Sequence, residues 1–223
     1  MNLDTLSRLA LSSGGTLYLM ALLLLLALFV ILERSWFLYR VMSGGRQLNE
    51  QVVSLPRLRL DLLQKVEAEA GPLPHAHLLR VVMSHPESND HDLLADRLEE
   101  AILLEVPKLD RLMWILDTAV TLAPLLGLFG TIIGMFNAFA GLGQSSAVPT
   151  QVTGGVGEAL IATASGLLIA MIGLVFLNSL NNRVRLLVHQ LETLKQMLVN
   201  RYALGLADVK AAQPAITLAR TGS

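Results

Sequence analysis

Two threonines and one glutamate sit where polar groups are costly. Thr131 lies in one long apolar stretch, and Glu158 and Thr163 lie in the next; no residue between Asp117 and Glu158 is charged. A carboxylate inside a bilayer costs a few kcal/mol unless it meets water, a partner or a proton. The chemistry open to such a set is proton handling, with hydroxyls that donate and accept beside a group that titrates. Glu158 stands about one turn inside its stretch, so two readings hold. It is a functional carboxylate, as Thr163 and Ser165 on the same stretch suggest, or an interfacial group that reaches headgroups or caps a first helical turn. Thr131 and Thr163 either line a polar seam or bond the carbonyls four residues back on their own helices. The three apolar stretches of the chain contain no Asp, His or Lys. If protons cross here, a partner supplies the central carboxylate.

Small residues surround these groups. Ala123, Gly127, Gly130, Gly134, Ala138 and Gly141 recur at three- and four-residue steps, as do Ala159, Ala162, Gly166, Ala170 and Gly173. That spacing puts a small-residue stripe on one face of each helix. In lipid such a stripe lets another backbone approach closely, and van der Waals packing then holds the pair together. Gly127, Gly130, Gly134, Ala159, Ala162 and Gly166 are therefore expected to pack helices, with Thr131 beside the stripe near mid-membrane. Pro124 is expected to bend or loosen the turn before it. Asn137, Asn178, Asn181 and Asn182 read as interfacial groups or helix–helix contacts. His75, His77, His85, His91 and His189 invite a metal reading, but their spacings match no compact site, and no metal or cofactor is expected.

Composition bounds the class. The 223 residues are 53% hydrophobic and only 16% charged, too apolar for an ordinary soluble domain. A net charge of −1 makes no electrostatic case for nucleic acid, and the lack of cysteine excludes disulfides and thiolate metal sites. No G-x-x-x-x-G-K-[ST] loop occurs, so any energy use comes from elsewhere than a nucleotide-binding loop of the chain's own.

The elements that must position the polar groups follow from hydropathy and breakers. Residues 1–15 form a short polar segment. A first membrane helix covers 16–32, and about 20 apolar residues suffice to cross a bilayer. A cleaved signal peptide is the alternative, but no small-x-small cleavage site follows. Glu33, Arg34, Trp36, Tyr39 and Arg40 form a charged and aromatic stop instead. Residues 33–117 read as a cytoplasmic helical domain, cut into short helices at Pro56, Gly71, Pro72, Pro74 and Pro86. From Asp90 an amphipathic helix is expected to run into the second span, kinked or locally ended at Pro107. The second span covers 118–140, an uncharged turn 141–154, and the third span 155–179. Leu180, Val184, Leu187, Leu191, Leu194 and Leu198 then step by 4-3-4-3-4, an a/d packing seam, so 180–204 extends the third helix. Such a helix would reach on the order of 70 Å. Residues 205–223 read as a flexible tail. Basic residues crowd 34–111 and 183–220 and are absent from 141–157, which places the N-terminus and the turn outside and the middle block and tail in the cytoplasm.

These residues also carry a resemblance. The stretch Leu122-Ala-Pro-Leu-Leu-Gly-Leu-Phe-Gly-Thr-Ile-Ile-Gly-Met135 resembles the second-span signature of the ExbB/TolQ proteins, relatives of the flagellar stator MotA. Glu158-Ala-Leu-Ile-Ala-Thr-Ala-Ser-Gly-Leu167 is similar to their third-span signature, and the Glu33-Arg34 pair fits as well. The likeness covers about 16–200. Ala170-Met-Ile-Gly173 departs from it where many members carry proline, which bears on a local bend. MotA itself has four spans and fits less well.

The resemblance implies an all-α membrane protein with three transmembrane helices, long helical cytoplasmic extensions and a homo-oligomeric ring. It implies a homopentamer in the bacterial inner membrane, whose second and third spans surround a dimer of an ExbD-like single-span partner bearing the protonatable aspartate. By motif position, Thr131, Glu158 and Thr163 match the family's pore-lining proton path. The ExbB branch, energising a TonB-like protein for uptake of siderophores or similar cargo, is the reading most like this sequence. A TolQ-like role in envelope integrity is the alternative, and a passive membrane scaffold is the alternative of another class. No enzyme activity is expected; membrane lipids are expected partners and nucleic acid is not.

Overall fold

A computed structural model describes residues 15–54, 60–84, 91–140 and 149–220; within them, the side chains at 60, 149–153, 158 and 202–220 lie outside the description. The described residues form six helices and no strand: α1 Thr16–Ser54, α2 Leu60–Ala70, α3 Pro74–Ser84, α4 His91–Leu109, α5 Met113–Ala140 and α6 Pro149–Arg220. Three of them, α1, α5 and α6, contain segments long and apolar enough to cross a membrane. The chain divides into two compact units, one of Met1–Ser35 with Leu112–Asn181, the other of Trp36–Arg111 with Asn182–Ser223.

The first unit holds the three apolar segments. Its inside mixes small and large side chains: Ala27, Ala119, Ala123, Ala159 and Ala162 are at most 3% exposed, and Met20, Val30 and Leu116 are buried with them. Its outside is made of large ones, among them Leu32, Phe136 and Val175, each about 70% exposed. A soluble domain would not leave so many large apolar side chains outside. In hydrocarbon, large apolar groups gain nothing by burial, so close backbone approach at small residues decides which face turns inward. Pro124 does not end α5, which runs on to Ala140.

The second unit is built like a soluble helical domain. Leu38, Leu48, Val52, Leu63, Leu78, Leu79, Leu94 and Leu98 are buried, while ion pairs such as Arg46–Glu50 sit on the surface. The expected a/d seam is buried throughout, from Leu180 to Leu198. Within this unit, the Asn49 side-chain amide donates to the Gln190 carbonyl at 3.5 Å. The Arg201 guanidinium donates to the carbonyls of Val52 and Val53, at 2.5 and 2.8 Å, satisfying acceptors that the last turn of α1 would leave open. α2 ends at Gly71, whose φ of +62° suits glycine at a helix C-terminus, and α3 starts on Pro74. Trp36 and Tyr39 are exposed, and the Arg40 guanidinium lies 5.8 Å from the Trp36 ring centroid.

Three features depart from the sequence expectation. The amphipathic helix does not run into the second span. It passes Pro107, stops at Leu109, and Leu112 takes a φ of +67° before α5 begins. A branched side chain is strained there, so the break is held by its surroundings rather than chosen by residue type. The helical backbone of α6 continues to Arg220, through the stretch where a flexible tail is expected. Arg34, read as part of an interfacial stop, is buried at 3% exposure with a two-pronged bond to Glu33 at 2.5 and 3.0 Å. Burial of a guanidinium requires such a partner.

Candidate functional site

The site is built where α5 and α6 run antiparallel. The contacts descend in register: Ala138 meets Gly155, Gly134 meets Ala159, Gly130 meets Ala162, Gly127 meets Ala162 and Thr163, Gly166 meets Ala123, and Gly173 meets Val120. All six residues expected to pack helices, Gly127, Gly130, Gly134, Ala159, Ala162 and Gly166, lie along this line. A Cβ on Gly166 would stand 2.4 Å from the Ala123 carbonyl oxygen, and one on Gly127 would stand 3.0 Å from the Ala162 carbonyl oxygen. These are backbone atoms and cannot swing aside. α1 joins at Gly130, where an added Cβ would stand 2.7 Å from the Thr16 hydroxyl, itself on a fully buried residue.

That close approach brings two hydroxyls together. The Oγ1 atoms of Thr131 and Thr163 are 2.9 Å apart. Thr131 Oγ1 lies 2.7 Å from the Leu128 carbonyl and 3.3 Å from that of Gly127, and Thr163 Oγ1 lies 3.0 Å from the Gly127 carbonyl. Two protons therefore serve four acceptors, the Leu128 and Gly127 carbonyls and the two hydroxyl oxygens themselves. If Thr131 donates to Leu128, Thr163 donates to Thr131 or to Gly127, and its own lone pairs stay open to a further donor. If Thr131 donates to Thr163, the order reverses. The pair can switch polarity without moving a heavy atom, as a hydroxyl relay must. Thr131 does take the local bond that its position allows. Thr163 does not: its bond crosses to α5, where only the missing side chain of Gly127 leaves room.

Glu158 lies on α6 five positions from Thr163, but its side chain falls outside the described residues. Asn137 is exposed.

The histidines do not converge: among the described residues no group of three His, Cys, Asp or Glu side chains could hold a metal ion. His85 falls outside the described residues. His75 is fully buried with neither ring nitrogen hydrogen-bonded, and desolvation pushes its pKa down to about 4. Its ring occupies the space a side chain on Gly45 would need, with Cε1 2.1 Å from the Cβ position. His77 Nδ1 lies 2.9 Å from the buried Glu105 carboxylate, which also accepts from Lys108 at 2.6 Å. Neither arrangement was visible in the sequence. The adjacent pair Gly44-Gly45 in a long helix was the one signal of a close approach there.

The pattern of the MotA/TolQ/ExbB proton channel family matches residues 71–193. An ExbB-like biopolymer transport protein of Synechocystis sp. is 32% identical over 171 residues, covering 74% of this chain and 66% of its own length. Biopolymer transport protein ExbB of Neisseria meningitidis is 28% identical over 192 residues, covering 81% of this chain and 87% of that one. Tol-Pal system protein TolQ of Pseudomonas aeruginosa is 36% identical over 96 residues, covering 43% of this chain and 42% of that one.

Proposed function

The chain belongs to the MotA/TolQ/ExbB proton channel family, a transport rather than an enzyme family, and is a multi-pass all-α membrane protein; from this we propose that it is the pore-forming stator subunit of a motor driven by the proton-motive force. In this reading five copies form a ring in the bacterial inner membrane, with the N-terminus periplasmic and the C-terminus cytoplasmic. α5 and α6 face a central pore holding a dimer of an ExbD-like single-span protein with a membrane aspartate. Rotation energises a TonB-like protein for outer-membrane uptake of siderophores or similar cargo.

The observation that carries the reading is the Thr131–Thr163 pair, two hydroxyls held 2.9 Å apart between two small-residue helices. They can donate hydrogen bonds to a carboxylate that alternately charges and neutralises, while Glu158 sits one to two turns further out. Protonation would remove the cost of moving that carboxylate past the apolar wall, which permits a rotational step. Taking exposed Trp114 as an anchor at headgroup level, Thr131 stands 17 positions further along α5, about 25 Å across a bilayer of about 40–45 Å with its headgroups.

The ExbB branch is favoured because the Neisseria protein matches along 81% of the chain. A TolQ-like role is the second reading, supported by a shorter match at higher identity. Thr131→Val, Thr163→Val and Glu158→Ala test the function. Each should lower proton flux through reconstituted complexes at least tenfold while the ring still assembles. Unchanged flux would leave a passive scaffold; loss of the ring would make these residues structural.

A further inference from the structure

Resting on the proton-path reading, we infer that Asp117 is the inner carboxylate of that path, the group that takes the proton leaving the hydroxyl pair and passes it to the cytoplasm. Among the residues of the membrane unit whose side chains are described, only Glu33 and Asp117 are carboxylates; Glu158, near the outer end of α6, is a further acidic residue beyond them. Glu33 is taken, gripped through both oxygens by the buried Arg34. Asp117 is exposed near the start of α5, and among the described residues no ion pair engages it.

Its register points at the hydroxyl pair. Asp117, Pro124 and Thr131 are seven positions apart, so at about 100° per residue they fall within about 40° of one another on one helix face, spread along about 21 Å. Polar atoms flank that line, Gly127 on one side and Thr121 on the other, about 120° apart around the helix. Gly127 supplies a carbonyl within reach of both threonine hydroxyls. Pro124 has no N–H, so the Val120 carbonyl lacks its helical donor and keeps its lone pairs for water. The Thr121 hydroxyl lies 3.1 Å from the Asp117 carbonyl and 3.0 Å from that of Thr118. The gaps between these groups are about 7–10 Å, which two or three hydrogen-bonded waters span. At the inner end a proton delivered by water converts the Asp117 carboxylate to the neutral acid. The acid then releases it to bulk water, and only O–H bonds are made and broken.

The test is proton flux into liposomes carrying the full chain purified with its co-expressed membrane partner, driven by an imposed gradient and normalised to assembled complex. Asp117→Asn keeps the shape and loses the proton site; Asp117→Glu keeps the site and lengthens the arm. A proton-carrying role requires Asn to lower flux at least tenfold and Glu to retain most of it. A structural role gives the reverse order, with Asn the milder change, and overturns the inference. If Thr131→Val stops flux while Asp117→Asn conducts normally, the inference fails and the path stands. If neither variant changes flux, the path itself fails and the inference with it. A variant that does not assemble is replaced by Asp117→Ser, judged by the same comparison with Glu.

Discussion

His75 shows how one side chain sets a pH limit on the helical domain. Its ring is buried beneath Gly45 without a hydrogen bond, and burial lowers its pKa from 6.5 to about 4. The unfolded chain therefore binds the proton at higher pH than the folded one. The contribution of the neutral ring is fully present above about pH 6.5 and is lost as pH falls towards 4. The loss over that window is on the order of 3 kcal/mol. Thermal unfolding of the detergent-solubilised protein at pH 7.5 and pH 5 should show a larger drop in midpoint for the native chain than for His75→Phe, which keeps a ring in the pocket and cannot charge. Equal drops in both would show that other groups govern the acid limit. At this scale the sequence was informative about residue type and silent about surroundings. It singled out Thr131 and Thr163, but the bond from Thr163 to the Gly127 carbonyl depends on a neighbour 36 positions away. His75 was visible only as one of five scattered imidazoles.

At the scale of the element, α5 and α6 are matched by what their glycines leave out. Gly166 admits no methyl group, because the nearest atom is the Ala123 carbonyl oxygen at 2.4 Å. Gly154, twelve positions away on the same helix, has nothing within 4 Å. Gly166→Ala is therefore expected to destabilise the protein by about 1–3 kcal/mol, the usual range for overpacking. Gly154→Ala should be neutral or stabilising by up to about 1 kcal/mol through helix propensity. Unfolding midpoints of the two variants in detergent check both; a harmless Gly166→Ala would show that the helices are not held at this separation. The stripes were legible because three- and four-residue spacing maps directly onto a helix face. The partner and register were not, since any small stripe can meet any other. The break at 110–112 was legible only as a kink or local end at Pro107; that it falls later, at a leucine with positive φ, follows no local rule.

For the whole molecule, the faces of the membrane unit are the informative part. Leu32, Phe136 and Val175 stand outward, so lipid or further copies of the chain must cover them. Native mass spectrometry of the chain co-expressed with the neighbouring membrane gene should find five copies with two of a small single-span protein bearing a membrane aspartate. A different ring size, or a complex without an acidic partner, would remove the driving carboxylate and favour the scaffold.

The sequence by itself determined that the chain is helical, crosses a membrane in three apolar segments, buries an a/d seam from Leu180 to Leu198 and belongs with the proton channels. Those properties follow from local periodicity, composition and motif, which need no knowledge of distant neighbours. Only the tertiary structure decided that the two threonines share a hydrogen bond, that Arg34 and His75 are buried, and that the helix before the second span stops past Pro107 rather than kinking there. Each of these depends on which residues far apart in the chain come within a few ångströms, and that is set by packing of whole helices rather than by any residue's own preference.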